Sequence, residues 1–347
     1  MRRLVVYTAL LVALDLGLLA VRAGGATRAH EGKRLRAGIV FDVGGRGDKS
    51  FNDSAWRGLD RATRELGVDA EYIEPGEGSD RESGIRLLAA EHFDLIIGVG
   101  FIFSDDLVNI ANEYPKTHFA CVDYAKFDAH GFVVPPPNMV ALKFREEEGS
   151  FLVGALAALV SKTHAVGFVG GMDIPLIHKF EAGYRAGAKY VCPTCRVLVG
   201  YAGVTGDAFK NPAKGKELAL AQYDAGADIV FHAAGTTGLG VFEAARERGR
   251  YAIGVDADQW SEAPGRVLTS MTKVVDVSVF ETVKRVRDGQ WRGGVQQFGL
   301  KEGGVDYVWD EHNRALIGDA VHARVEALRR EIIAGKIHVP DGTETTK

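Results

Sequence analysis

A glycine-rich polar segment follows the first predicted strand of the chain. Residues 37–41 form a short apolar run that predicts a buried strand, and a helical pattern begins near Ser50. In open α/β sheets, ligands bind where a strand hands over to a helix, and glycine lets the backbone approach a ligand closely. The segment offers two carboxylates, an amide and an aromatic ring, from Asp42, Asp48, Asn52 and Phe51. These groups suit a neutral ligand with a flat face and several hydroxyl groups, and they suit a phosphate poorly.

The residues at the start of this helix allow alternative interpretations. Ser50 and Asp53 have the spacing of a capping box. That cap would leave Asp42, Asp48, Phe51 and Asn52 facing outward. Phe51 could stack on an aromatic base, or it could pack as a hydrophobic staple. Asn52 could read a base edge with its donor and acceptor, or it could bond locally at the helix start.

Polar residues also stand at the ends of later predicted strands. These are Asp123, the turn that begins at Gly235, Asp256 and Lys273. If two sheets face each other by their carboxyl edges, all of them point into one cleft. A carboxylate accepts hydroxyl protons and an ammonium donates, so Asp256 with Lys273 could hold a ribose diol; helix capping is the alternative for Asp256. Phe180 could supply the opposite face of a stacking sandwich, with core packing as its alternative.

Motifs of catalysis and of metal binding are weak in this sequence. Residues 45–50 look like a dinucleotide fingerprint without its third glycine, and a Walker pattern is excluded because Asp48 replaces the glycine before Lys49. The three glutamates at 146–148 match the positive end of a helix better than a catalytic pair. Neither an HExxH spacing nor a G-x-S-x-G elbow is present. We therefore expect no enzymatic activity, no metal and no cofactor.

The chain has three cysteines. Cys192 and Cys195 form a CxxC, which outside the cytoplasm could be a small local disulfide. A redox-active pair is disfavoured because the motif follows a helical stretch instead of opening one, and zinc would need two more ligands at suitable spacing. Cys121 lies in an apolar run and is interpreted as a buried core thiol.

Strand and helix patterns alternate along the whole chain, which is typical of parallel sheets covered by helices. The pattern restarts after about residue 145, so we expect two similar sheets with a binding cleft between them. The 347 residues are enough for two domains, and the formal charge of -4 gives no electrostatic reason to expect a nucleic-acid partner.

The first 29 residues predict export. Met1, Arg2 and Arg3 are followed by an apolar run to Val21 that is interrupted by Asp15, a pattern of a secretory signal peptide and short leader; an uncleaved membrane anchor is the alternative. No later segment reaches the roughly 18 apolar residues of a membrane span. The expected location is the periplasm or the outer face of the cytoplasmic membrane. A lipid anchor is not expected, because no cysteine lies near the N-terminus.

Several segments in the same order resemble the basic membrane protein family, the purine-nucleoside-receptor-like substrate-binding proteins of ABC importers. The resemblance covers about residues 36–305 and is carried by DVGG at 42–45, DKSFN at 48–52, DLIIGVGF at 94–101, FREEEGSF at 144–151, GFVGGMD at 167–173, FEAG at 180–183, GVDADQ at 254–259 and LTSM at 268–271. It implies a two-lobed fold of the ribose-binding (type I) periplasmic-binding-protein class, with three hinge crossings. The implied lobes are 36–144 with about 274–300, and 145–273 with part of 300–335, followed by a tail at 336–347.

The resemblance also implies a purine nucleoside in the cleft. By motif position, the base stacks on Phe51 and Phe180, while Asn52 and Asp123 read its edge. The ribose side is held by the remaining candidates, Asp42, Gly235, Asp256 and Lys273. The expected partners are a nucleoside and the permease subunits of an ABC transporter, and the protein itself is expected to be a monomer.

Rival functions remain open. A nucleoside hydrolase or phosphorylase would need a calcium-binding aspartate cluster or a phosphate site, and Asp42 with Asp48 is a poor imitation of the first. A regulator of the same fold would need a DNA-binding or signalling segment. A sugar or another small metabolite is an alternative ligand, because the ribose-type fold accepts many ligands.

Overall fold

The computed structural model describes residues 34–74, 76 and 80–342. The predicted signal peptide at 1–29 and residues 343–347 of the predicted tail lie outside this range. The residues from Leu35 onward belong to one compact unit. Its strands are β1 (Arg36–Val40), β2 (Asp69–Ile73), β3 (Leu95–Val99), β4 (His118–Val122), β5 (Phe127–Asp128), β6 (Gly131–Phe132), β7 (Met139–Phe144), β8 (Ala165–Met172), β9 (Arg196–Gly203), β10 (Ile229–Ala233), β11 (Tyr251–Asp256), β12 (Val267–Lys273), β13 (Gly294–Phe298) and β14 (Val305–Tyr307).

Helices follow most of these strands. They are α1 (Phe51–Leu66), α2 (Asp80–Ala90), α3 (Ser104–Glu113), α4 (Glu146–Val160), α5 (Pro175–Val191), α6 (Pro212–Asp224), α7 (Gly238–Arg248), α8 (Val275–Arg287), α9 (Arg314–Ile317) and α10 (Asp319–Ile333). The apolar pattern predicts helices over 51–66 and 104–113, and α1 and α3 have these bounds.

Two six-stranded sheets form two lobes. The order is β13-β7-β4-β3-β1-β2 in the first sheet and β14-β12-β11-β10-β8-β9 in the second. Every pairing in the first sheet is parallel, and in the second only β14 runs antiparallel, against β12. We call these the N lobe and the C lobe. The predicted fold of two parallel sheets covered by helices is confirmed.

The chain crosses between the sheets three times, after β7, after β12 and after β13. Neighbouring crossings are hydrogen-bonded to one another. The N–H of Arg145 donates to Phe298 O at 2.9 Å, and that of Val274 donates to Gly304 O at 3.0 Å. The N–H of Leu300 donates to the carboxylate of Glu148 at 2.8 Å. The crossings therefore form one short connected band between the lobes.

Two helices of the C lobe, α4 and α5, approach so closely that glycine is required between them. A side-chain carbon at Gly187 would lie 2.0 Å from Phe151 O, and one at Gly154 would lie 2.1 Å from Tyr184 O. Such distances are far below van der Waals contact, so any larger residue must push the helices apart. Because α4 begins directly after the first crossing, this packing joins the hinge to the body of the C lobe.

Some elements were not anticipated from the sequence. The small hairpin of β5 and β6, the antiparallel strand β14 and the helix α10 lie outside the alternating pattern. The hairpin strands contain two residues each, which is too short for a periodic signal. The three-residue β14 has the same limitation.

Candidate functional site

One cavity lies between the carboxyl edges of the two sheets. With its solvent-open part included, it measures about 600 Å³. Every ligand-binding residue predicted from the sequence lines it. The lining consists of Asp42, Gly44, Asp48, Phe51, Asn52, Gly100, Phe101, Asp123, Leu176, Ile177, Phe180, Phe209, Ala233, Ala234, Gly235, Val255, Asp256 and Lys273.

The predicted capping box at the start of α1 is wrong. The Ser50 hydroxyl makes no cap bond. Instead, the buried Asp48 carboxylate accepts the N–H groups of Ser50 at 2.9 Å, Asn52 at 2.8 Å and Asp53 at 3.1 Å. A carboxylate satisfies several orphan donors of a helix start where a serine hydroxyl satisfies one. Asp48 and Asn52 are therefore buried beside the cavity and do not simply face outward as expected.

The Asn52 side chain is held in place by its neighbours. Its Oδ1 accepts the N–H of Asp42 at 3.2 Å, and its Nδ2 donates to the Asp48 carboxylate at 3.1 Å. Local bonding at the helix start, one of the two interpretations of this residue, is therefore present. It does not remove the residue from the site, because Asn52 lines the cavity as well.

Lys273 and Asp256, the two residues expected to hold a ribose diol, both line the cavity but have different protein partners. The Lys273 ammonium donates to both carboxylate oxygens of Asp123, at 2.7 and 2.9 Å, and lies 3.3 Å from the Glu146 carboxylate. Asp256 instead accepts the Ser50 hydroxyl at 2.6 Å. The strand ends of β4 and β12 meet next to the first crossing, so a lysine at the end of β12 reaches the carboxylate of the opposite lobe. Sequence reasoning missed Glu146, because a glutamate in the first turn of a helix is expected to be exposed to solvent.

The Lys273 ammonium is the positive centre of the site. Burial by itself lowers its pKa, but the carboxylates of Asp123, Glu146 and Asp256 outweigh burial and raise the pKa above its usual value. The ammonium also lies 4.8 Å from the ring centroid of Phe51. Since an isolated buried charge is very costly, this arrangement of counter-charges is what lets a lysine remain charged there.

The carboxylates around the cavity resist ionisation. Burial raises the pKa of Asp42 to about 7 and that of Asp48 to about 6. Burial also raises the pKa of Asp256, against the opposing effects of Lys273 and the Ser50 hydroxyl. Such a site stabilises hydroxyl groups and other neutral donors better than it stabilises a second anion.

Aromatic rings line both lobes of the cavity. Phe51, on α1 of the N lobe, is half-buried, whereas Phe180, on α5 of the C lobe, is 3% exposed and belongs to the hydrophobic core. Both proposed roles of Phe180 are thus compatible with its position. The cavity also contains Phe101 and Phe209, which the sequence did not single out. Both lie on 3₁₀ turns, where no helical or strand period marks them.

The backbone around the cavity adopts uncommon conformations. Asp123, directly after β4, and Asp256, at the end of β11, have φ angles of 61° and 64°, and Gly235 has a φ angle of 54°. A side-chain carbon at Gly235 would lie 3.4 Å from Phe209 O. Positive φ at non-glycine residues is costly and collects at functional sites. The turns at the carboxyl ends of β4 and β11 are thus shaped to aim carboxylates into the cleft.

None of the three cysteines lines the cavity. Cys192 and Cys195 form a disulfide between the end of α5 and the start of β9, and Cys121 is a buried free thiol. His164 lies beside the disulfide, with its Nδ1 3.8 Å from each sulfur. Among the described residues, no helix is long and apolar enough to cross a bilayer.

Comparison with known proteins identifies the family. The model of the family described as ABC transporter substrate-binding protein, PnrA-like, matches residues 36–343. A protein of Lactococcus lactis named ABC transporter nucleoside-binding protein BmpA is 34% identical, with 94% of this chain and 97% of that protein covered. An uncharacterized lipoprotein of Pyrococcus abyssi is 37% identical over 89% of this chain and 78% of its own length.

A solved structure supports the same assignment. The solute-binding protein of an ABC transporter system from Aeropyrum pernix superposes with a TM-score of 0.81 at 31% identity, covering 89% of this chain and 94% of that one. The relative named as a lipoprotein gives no support to the expectation that a lipid anchor is absent. The match over nearly all described residues, together with the two lobes and the cavity between them, means that this chain belongs to the PnrA-like (Bmp) family of ABC transporter substrate-binding proteins.

Proposed function

We propose that the protein binds a purine nucleoside in the cavity between its lobes and delivers it to the permease of an ABC importer. The observation that carries this proposal is the composition of the cavity wall. Phenyl rings from both lobes, four aspartates and a single lysine, whose charge is balanced by carboxylates, surround one space. These residues are Phe51, Phe180, Asp42, Asp48, Asp123, Asp256 and Lys273.

The ligand chemistry follows from these groups. A flat base is favoured by aromatic faces, and ribose hydroxyls are good donors to carboxylates. The excess of carboxylates over ammonium groups disfavours a phosphate. The Lactococcus lactis relative bears nucleoside-binding in its name, which supports the same ligand class.

Each residue then has a proposed role. The base lies between Phe51 and Phe180, and its edge is read by Asn52 and Asp123. Asp42, Asp256, Lys273 and the backbone at Gly235 hold the ribose side. Binding stabilises the closed arrangement of the lobes, since only that arrangement brings both walls to the ligand.

The cellular setting is part of the proposal. The protein is exported, acts as a monomer outside the cytoplasm without a chemical step, and has no nucleic-acid partner. The proposed lobes are 36–144 with about 274–300, and 145–273 with part of 300–335. An enzyme acting on nucleosides is the rival, and incubation with inosine followed by chromatography for free base separates the two.

Titration calorimetry with inosine, adenosine, guanosine, the free bases, ribose and a nucleoside monophosphate tests the ligand class. We expect nucleosides to bind and the monophosphate to bind far more weakly. Asp256→Ala should lower nucleoside affinity at least tenfold, because hydrogen bonds to charged groups contribute about 1.5–3 kcal/mol. The control is Asp258→Ala, an exposed neighbour outside the cavity. Equal affinity of the two variants, or binding of ribose alone, would refute the proposal.

A further inference from the structure

Gln259, just after β11 of the C lobe, reaches across the cleft without lining the cavity. It is 1% exposed, and its Nε2 donates to the backbone oxygen of Lys49, in the N lobe, at 3.1 Å. The next residue of the N lobe, Ser50, makes its own bond to Asp256 of the C lobe at 2.6 Å. Two adjacent residues of one lobe are thus bonded directly to the other lobe.

The orientation of the Gln259 amide is fixed by its surroundings. The N–H of Val255, which can only donate, lies 2.8 Å from Gln259 Oε1, so this atom must be the oxygen. His232 Nε2 lies 3.1 Å from the same oxygen and must therefore carry the ring proton. With the oxygen saturated by two donors, the amide nitrogen can only point across the cleft to the oxygen of Lys49.

His232 holds the Gln259 amide in this orientation. The ring is completely buried, and burial lowers its pKa to about 4, so it stays neutral with one proton. Its other nitrogen, Nδ1, has no hydrogen-bond partner among the described residues. A buried polar atom without a partner is costly, and the ring is tolerated because its single proton is committed to Gln259.

The acceptor on the N lobe is held just as firmly. Lys49 has a positive φ of 55°, a strained conformation for a residue with a side chain. Its N–H donates to Asp53 at 3.1 Å, and the buried cap at Asp48 fixes the turn before α1. The Lys49 oxygen is therefore held in position where the Gln259 amide meets it when the lobes close.

We propose that Gln259, oriented by His232, is a positioning residue that holds the closed cleft together without contacting the ligand. This inference rests on the proposed binding function, but the contact itself joins protein atoms. Its loss should favour the open arrangement and speed ligand release. Ligand entry should be almost unaffected, because the open cleft presents the same cavity walls.

The decisive variant is Gln259→Glu. All variants are compared at pH 9, because a buried carboxyl resists ionisation and in its protonated form would still donate to the Lys49 oxygen. The ionised carboxylate keeps the size of the side chain and its acceptors for Val255 and His232, but it replaces the cross-cleft donor with an oxygen that repels the Lys49 oxygen. The matched control is Gln222→Glu, because Gln222 is also buried but donates to Phe168 O within the C lobe, at 2.8 Å. Gly206→Val is the reference for opening, since a side-chain carbon at Gly206 would lie 2.9 Å from Val43 of the other lobe.

Two readouts follow. Spin labels on cysteines introduced at the exposed positions Arg64 and Glu217, one on each lobe, report the closed and open populations of the ligand-free protein; Cys121 is buried and stays unlabelled. Stopped-flow fluorescence measures entry and release of inosine. We expect Gln259→Glu to lower the closed-to-open ratio about tenfold and to speed release about tenfold, with entry changed less than twofold.

The outcomes separate the two proposals. If inosine does not bind to wild type, the proposed ligand is wrong, and the spin-label distances alone decide the role of Gln259. The role is refuted if ligand-free wild type has no closed population. It is also refuted if Gln259→Glu matches Gln222→Glu in the closed-to-open ratio, or if release is unchanged in a protein that binds inosine.

Discussion

Replacing Asp42 with Asn should stabilise the fold while weakening ligand binding. The Asp42 carboxylate lies in the cavity wall, where burial raises its pKa from 3.8 to about 7. The N–H of Val43 and the charge of Arg81 oppose this rise, whereas the neighbouring Asp123 and Asp48 add to it. Because the folded state holds the proton more tightly than the unfolded chain, the ionised carboxylate destabilises the fold.

The magnitude follows from the two pKa values. A rise from 3.8 to about 7 corresponds to about 4 kcal/mol, at about 1.36 kcal/mol per unit. Part of the Asp42 surface remains in contact with solvent, so we expect about 2 kcal/mol. The unfolded chain loses the proton first as the pH rises, so wild type loses stability between about pH 4 and pH 7 and no further above that. The Asn variant lacks this loss.

Urea denaturation of wild type and Asp42→Asn at pH 4.5 and pH 8 measures the effect. The variant should be more stable at pH 8 by about 2 kcal/mol, and most of this gain should vanish at pH 4.5. Calorimetry with inosine should show at least tenfold weaker binding, because Asn offers one acceptor oxygen where the carboxylate offers two. A gain that is absent at pH 8, or equal at both pH values, would show that ionisation of Asp42 is not opposed by burial.

Three further variants, one of them a double substitution and one with a matched control, test the framework around the site. Lys273→Met should destabilise the fold by about 3–5 kcal/mol, since it leaves buried carboxylates without their ammonium; a wild-type urea midpoint would contradict the ion cluster. Replacing Cys192 and Cys195 with Ser should lower the free energy of unfolding by about 2 kcal/mol for so short a loop, and a reducing agent should produce the same loss in wild type but none in the variant. Gly187→Ala should lower the free energy of unfolding by about 3 kcal/mol through forced separation of two helices, whereas Gly203→Ala, which has ordinary space around it, should change it by less than about 1 kcal/mol; similar melting temperatures for the two would refute the close approach.

Local signals were sufficient for the alternating strands and helices and for the polar side chains of the cavity wall. The apolar patterns predict a helix over 51–66 and strands over 118–122 and 139–144, and α1, β4 and β7 have these bounds. The polar strand ends meet because parallel strands bring their carboxyl ends to one edge, which is a rule of topology that needs no side-chain detail. Asp123, Asp256 and Lys273 could thus be assigned to one cleft from the sequence.

The hydrogen-bond and ion-pair partners of the site residues could not be predicted in the same way. Ser50 and Asp53 have capping-box spacing, yet Asp48 takes the cap because its carboxylate reaches three N–H groups. Lys273 bonds Asp123 and Glu146 although Asp256 also ends a strand of the same lobe. These choices depend on distances between lobes and across a chain crossing, which no local pattern contains.

The close approach of α4 and α5 has a consequence for how the molecule moves. The two helix backbones touch directly at these glycines, with no side chain between them that could adjust if one helix slid past the other. The two helices must therefore move as one rigid body. Movement of one lobe relative to the other must therefore take place at the three chain crossings. Replacement of Gly154 or Gly187 by alanine would therefore do more than disturb core packing. It would also weaken the coupling between ligand binding and the movement of the lobes.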